Sequence, residues 1–220
     1  MNTVQLAAIQ SFVSLGNNCE FGFVQRKLGL EPSSLLRWAI AKSIDVDAFL
    51  KFDPSGSELA QIYRLEGLSP HTEGMVRDKL TNFCFHTQIE IRKSDKSGKL
   101  GFYGDTSLRH ATWEKEKSKI DYLASRFFSY LKEQPSTYVI KDDGSSFSNC
   151  EAIYEYLKQL NSQNRLLVIR AEPDRVGMTE SIDVGFHIGH ISRFSPYSLA
   201  SDCEYGDWNN LLAEYIDKHS

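Results

Sequence analysis

The stretch 137–170, TYVIKDDGSSFSNCEAIYEYLKQLNSQNRLLVIR, decides the fold class. It opens on an apolar run, TYVIK (137–141), and closes on a second, LLVIR (166–170). Strands that lack polar alternation belong to sheets covered on both faces. Between them Ser148 and Glu151 stand three apart, a capping-box spacing ahead of a helix carrying Ile153, Leu157 and Leu160. Strand, helix, strand in that order predicts an α/β domain with a partly parallel sheet. The intervening DDGSS (142–146) lacks the oxygen spacing and terminal Glu of a calcium loop and reads as a plain connection.

Outward from there, residues 112–133 carry Ile120, Leu123, Ala124, Phe127, Phe128 and Leu131 on one face, which predicts an amphipathic helix. Lys115, Lys117 and Lys119 alternate with Glu and read as its solvated face. Downstream, 185–193 predicts a strand and 207–218 a last helix. Upstream, NFCFHTQIEIR (82–92) reads as one strand, followed by a turn at 93–99 and a returning strand at 100–103. Near the start, QSFVSL (10–15) predicts a short strand ending at Gly16, with a helix over 20–28. A second helix is expected from Pro32 through Leu35, Leu36, Trp38 and Ala39, and a third over 46–52, closed by a turn at 53–56. Residues 57–81 carry no clear pattern. The sum is one domain over 1–220, α/β (or α+β), with a central mixed sheet of about five strands flanked by helices.

Composition narrows the function classes. The chain has 220 residues, 25 Lys+Arg against 29 Asp+Glu, and a net charge of −4, which argues against a basic nucleic-acid-binding surface. No run of about 18 apolar residues occurs, so no membrane span is expected. Residues 1–10 show neither a basic nor a long apolar signal region, and a reducing, cytoplasmic setting is expected. No GxGxxG or GxxxxGK[ST] motif appears, so no cofactor is implied. The cysteines at 19, 84, 150 and 203 form no CxxC. His187 and His190 lie three apart on a strand, where side chains diverge, and no metal site is expected.

One cysteine stands apart. In SLGNNCEFG (14–22) a strand end and a glycine turn deliver Cys19 to the first turn of a helix. Free amides and the positive end of the helix dipole there would lower a thiol pKa and hold an oxyanion, with Asn17 or Asn18 as side-chain donors. The plain alternative is a small buried residue at a tight turn. A nucleophilic Cys needs a base. His110, after the turn 104–107 and just ahead of the long helix, ranks first, and His86, on the 82–92 strand, second.

The segment SLGNNCEFGFVQRKLGLEPSSLLRWAI (14–40) resembles a family of bacterial domains described as papain-like cysteine peptidases, which open with an S-L-G-x-x-C motif. A weaker echo runs from His110 through SRFFSYL to the two apolar strands. The resemblance implies Cys19 as nucleophile, His110 or failing that His86 as base, and Asp142 as a candidate third member that orients the imidazole. It implies a hydrolase or acyltransferase acting on a peptide-, amide- or glycan-linked substrate. The Pro-Phe-Asp-Trp segment that often follows the helix pair in the family is missing here, and Leu36-Arg37-Trp38-Ala39 stands near its place. The competing expectation is a non-catalytic glycan or nucleotide-sugar binding module, or an accessory domain of surface-polysaccharide biosynthesis, in which Arg26, Arg37 and Trp38 line a pocket and Cys19 is structural. A glycosyltransferase-type enzyme is a third, for which no acidic metal motif stands out.

Overall fold

The computed structural model describes residues 1–52, 62–72, 74–142, 144 and 147–219. The expected turn at 53–56 therefore lies outside the described residues, as do Asp143, Ser145 and Ser146 of the 142–146 connection. Among the described residues the central sheet has five strands: β1 (Val13–Ser14), β8 (Thr137–Lys141), β9 (Arg165–Ala171), β10 (Thr179–Asp183) and β11 (Phe186–Ile191). Their spatial order is β1-β8-β9-β11-β10. The first four run parallel, with Val13 opposite Tyr138, Tyr138 opposite Leu166, and Leu167 opposite His187. Only β10 is antiparallel, hairpinned onto β11 at the edge. All five residues of TYVIK are buried, as a doubly covered strand requires.

One face of the sheet carries Tyr138, Ile140, Leu166 and Val168 beneath α5 (Phe147–Leu160), together with α3 (Ser43–Leu50) and α4 (Thr106–Glu133). The other carries Val139, Leu167 and Ile169 beneath α1 (Thr3–Gln10), α2 (Glu20–Lys27) and α6 (Tyr205–His219). A smaller antiparallel sheet, β2 (Ala39–Ile40), β5 (Cys84–His86), β4 (Met75–Asp78) and β3 (Leu68–Thr72), joins the first core. A hairpin of β6 (Ile91–Lys93) and β7 (Leu100–Phe102) stands beside it. Among the described residues no helix is long and apolar enough to cross a membrane.

Three expectations change. Residues 33–39 form a turn into β2 rather than a helix, because the buried Arg37 guanidinium donates to the carbonyls of Gly22, Leu30 and Pro32 at 3.0–3.1 Å and holds the segment in a loop. The 82–92 strand is two strands in different sheets, parted where Thr87 Oγ1 accepts the Ile89 amide. The long helix starts at Thr106, so His110 lies inside it rather than ahead of it.

Candidate functional site

The carboxyl ends of β1 and β8 meet the start of α2, the edge where open α/β sheets hold ligands. Gly16 turns there with φ +92°, and a Cβ would stand 2.7 Å from the Ala41 Cβ, so the turn demands glycine. Asn17 follows at φ +77°. Its amide N–H donates to Ala41 O at 2.7 Å, its Nδ2 donates to Lys141 O, and its Oδ1 accepts from the Tyr197 hydroxyl at 2.9 Å. Asn18 Oδ1 accepts the Glu20 amide at 3.0 Å, while its buried Nδ2 has no partner among the described residues. The expected oxyanion donors are thus one amide already engaged and one pinned at the helix start.

Cys19 caps α2 without a side-chain hydrogen bond and is 7% exposed. Burial pushes its thiol up to about 11, although the Lys141 ammonium pulls the other way. The shift runs opposite to the expected lowering: desolvation outweighs the one nearby cation. Beside it, Glu20 is fully buried. Its carboxylate accepts from Lys141 Nζ at 2.7 Å, the Ser195 amide at 3.1 Å and Trp208 Nε1 at 3.0 Å, tying α2, β8, the loop after β11 and α6 together. Lys141 Nζ also sits 4.7 Å from the centre of the Phe194 ring. Glu20, Lys141 and Trp208 escaped the sequence reading. The available signal was a lysine closing an otherwise apolar strand.

The candidate partners of Cys19 are elsewhere. No hydrogen bond joins Cys19 to a histidine among the described residues. His110 is exposed on α4, and His86 is exposed at the end of β5. Asp142 shares the carboxyl edge with Asn17, but its carboxylate pairs with Arg170 at 2.9 Å and accepts the Gly144 amide. His187 and His190 point to opposite faces of β11, the first to Ser181 and the His219 ring, the second to Glu180 and Glu172.

A second place gathers Arg26, Trp38 and His86. They line a cleft of about 810 Å³ between α2, residues 34–39, β5 and α4, with Phe85 on its floor. That volume suits a small ligand. Cys19, Phe23 and Arg26 fall on one stripe of α2, but only the latter two reach the cleft. The Arg26 guanidinium lies 4.5 Å from the Trp38 ring centre and bonds Glu31 at 2.6 Å. Stacking on a ring fixes a guanidinium while leaving N–H groups free for an anion. Arg37 lies beneath, spent on backbone carbonyls and Glu31. Lys115 and Lys119, expected to be solvated, stand on the cleft's α4 rim. The single constellation expected around Cys19 is thus two: a sealed corner and an open cleft. Compared with known protein families, curated proteins and solved structures, the chain matches none.

Proposed function

We propose that the chain is a binding module that takes an acidic sugar ligand, glycan or nucleotide-sugar, in the cleft between α2 and α4. The observation that carries this reading is the Arg26 guanidinium held over Trp38 at the wall of an aromatic-floored cleft rimmed by Lys115 and Lys119. An apolar floor with a few convergent polar groups is the ordinary form of a ligand site. Its cations suit carboxylate or phosphate. Isothermal titration with UDP-glucuronate and with trigalacturonate tests it. Arg26→Gln should weaken the tighter of the two about tenfold, roughly 1.4 kcal/mol. Absence of heat with both ligands refutes the reading.

The second reading is a cysteine-nucleophile hydrolase or acyltransferase at Cys19. The support for it is the thiol's place at the start of α2 beside Lys141. Against it stands the protonated, sealed resting thiol. Iodoacetamide labelling across pH separates the two. Cys19 should alkylate slowly, with a midpoint above the free-thiol value of about 8.5. A midpoint below 7 would restore the nucleophile.

A further inference from the structure

A second cleft, of about 410 Å³, opens along the outer side of β1, lined by Phe12, Val13, Arg126, Tyr130 and Gln134. It shares Ser34, Leu35 and Leu123 with the first, so the two meet at a common lip. The shared wall is α4. Lys115, Lys119, Leu123, Arg126 and Tyr130 follow at steps of four, four, three and four, one stripe of the helix. From Lys115 to Arg126 the stripe runs roughly 16 Å along the axis.

Charge along that stripe is uncompensated. Lys115, Lys119 and Arg126 form no ion pair among the described residues, while Lys117, off the stripe, bonds Asp121 at 2.7 Å. Arg126 instead lies 4.8 Å from the Tyr130 ring centre. Glu116 is the one carboxylate among the described lining residues, and it accepts the Gln88 amide. Like charges four apart on a helix destabilise it, and this chain carries a net −4 from which partners could have been drawn. A line of unpaired cations along two adjoining clefts is complementary to an acidic chain.

We propose that the two clefts form one groove for an acidic oligosaccharide several sugars long, with carboxylates spaced to meet Arg26, the Lys115–Lys119 pair and Arg126. This rests on the cleft reading above and extends it from a small ligand to a polymer. Besides the cations, Glu116 and His86, the polar lining is hydroxyl and carboxamide, including Ser33, Ser34, Thr87, Gln88 and Gln134, which suits a hydroxyl-rich occupant. A peptide held by strand addition needs a long free edge, and the strands bordering the groove at this side, β1 and β2, are two residues each.

Titration calorimetry with galacturonate oligomers of two to six sugars, at low salt, tests the groove. Affinity should rise at least tenfold from dimer to tetramer or pentamer and then level. Arg126→Gln should erase most of that gain, weakening hexamer five- to tenfold while leaving dimer within twofold, and Arg126→Lys should restore it. Dimer binding with no length dependence overturns the groove and leaves the cleft standing. Loss of binding at every length with wild-type protein overturns both. If poly-L-glutamate or oligo(dT) of matched length binds more tightly than hexagalacturonate, with the same Arg126 dependence, the saccharide assignment is overturned.

Discussion

At the carboxyl end of β8, Lys141 meets Glu20 at 2.7 Å with both side chains sealed from water. On α4, Lys115 and Lys119 stand exposed, one turn apart, with no ion pair to either among the described residues; Glu116 between them accepts the Gln88 amide. Both regions border α2, and they handle charge in opposite ways. In the corner, burial makes each charge costly, so each is matched: the Glu20 carboxylate has three donors. In the groove, water screens the cations, and leaving them unpaired costs only tenths of a kcal/mol. Saturated polar groups fix the fold, and unsaturated ones at a concave surface are free to meet something else. The same contrast separates Cys19, held by the fold, from Arg26, held over a ring with N–H groups to spare.

The comparison breaks most visibly at the corner. Lys141→Met strands a buried carboxylate and should cost about 3–5 kcal/mol in urea unfolding. Adding Glu20→Leu to it should recover much of that loss, because an apolar pair of similar volume removes the uncompensated charge. If Lys141→Met costs under 1 kcal/mol, the corner is not the sealed lock described.

A second sealed group sharpens the contrast through pH. Burial, with His219 and Arg165 nearby, pulls the His187 imidazole down to about 4 from an ordinary value near 6.5. Between those values the unfolded chain holds the extra proton and the folded one does not. Stability is therefore complete above about pH 6.5 and falls as pH drops toward 4, by an order of 2–4 kcal/mol. His187→Gln should flatten most of that slope, leaving the part carried by His71 and His219, whose imidazoles burial also pulls down. Lys119→Gln in the groove should leave the slope unchanged.

Gly22 lies on the seam between the regions. A Cβ there would stand 2.9 Å from Arg37 O and 3.0 Å from Trp38 Cζ3. Alanine would gain about 1 kcal/mol in an isolated helix. Here Gly22→Ala should instead lose about 1–3 kcal/mol and shift Trp38 fluorescence, because the Arg37–Trp38 turn has to move. The smallest effect belongs to the groove itself: Lys119→Gln should change stability by no more than about 0.5 kcal/mol. A larger loss would mean that these cations serve the fold.

Much of the layered fold was legible because its signals are local. TYVIK and LLVIR announced covered strands, and the apolar stripe of 112–133 announced α4. The first helix has a local signal too: Asn2 and Gln5 make a reciprocal capping box, and Gln5 Nε2 reaches Asp217 on α6. Other elements were not legible locally. Residues 33–39 have helical spacing, yet one buried arginine bonding carbonyls from 22 to 32 overrides it. The candidate site was half legible: Arg26, Trp38 and His86 do share a cleft, but Lys115 and Lys119 looked like ordinary solvated lysines.

The fold class and the place of Cys19 at a helix start follow from local sequence, since apolar runs, glycine turns and small polar caps act over a few residues. Which of those residues are sealed and which stand open was set by the tertiary fold. Whether a thiol ionises depends on desolvation and on charges more than a hundred residues away, as Lys141 is from Cys19. Whether a lysine is paired or free depends on which carboxylates the fold brings near it. Electrostatics is set by distance in space and by burial, and neither is written along the chain.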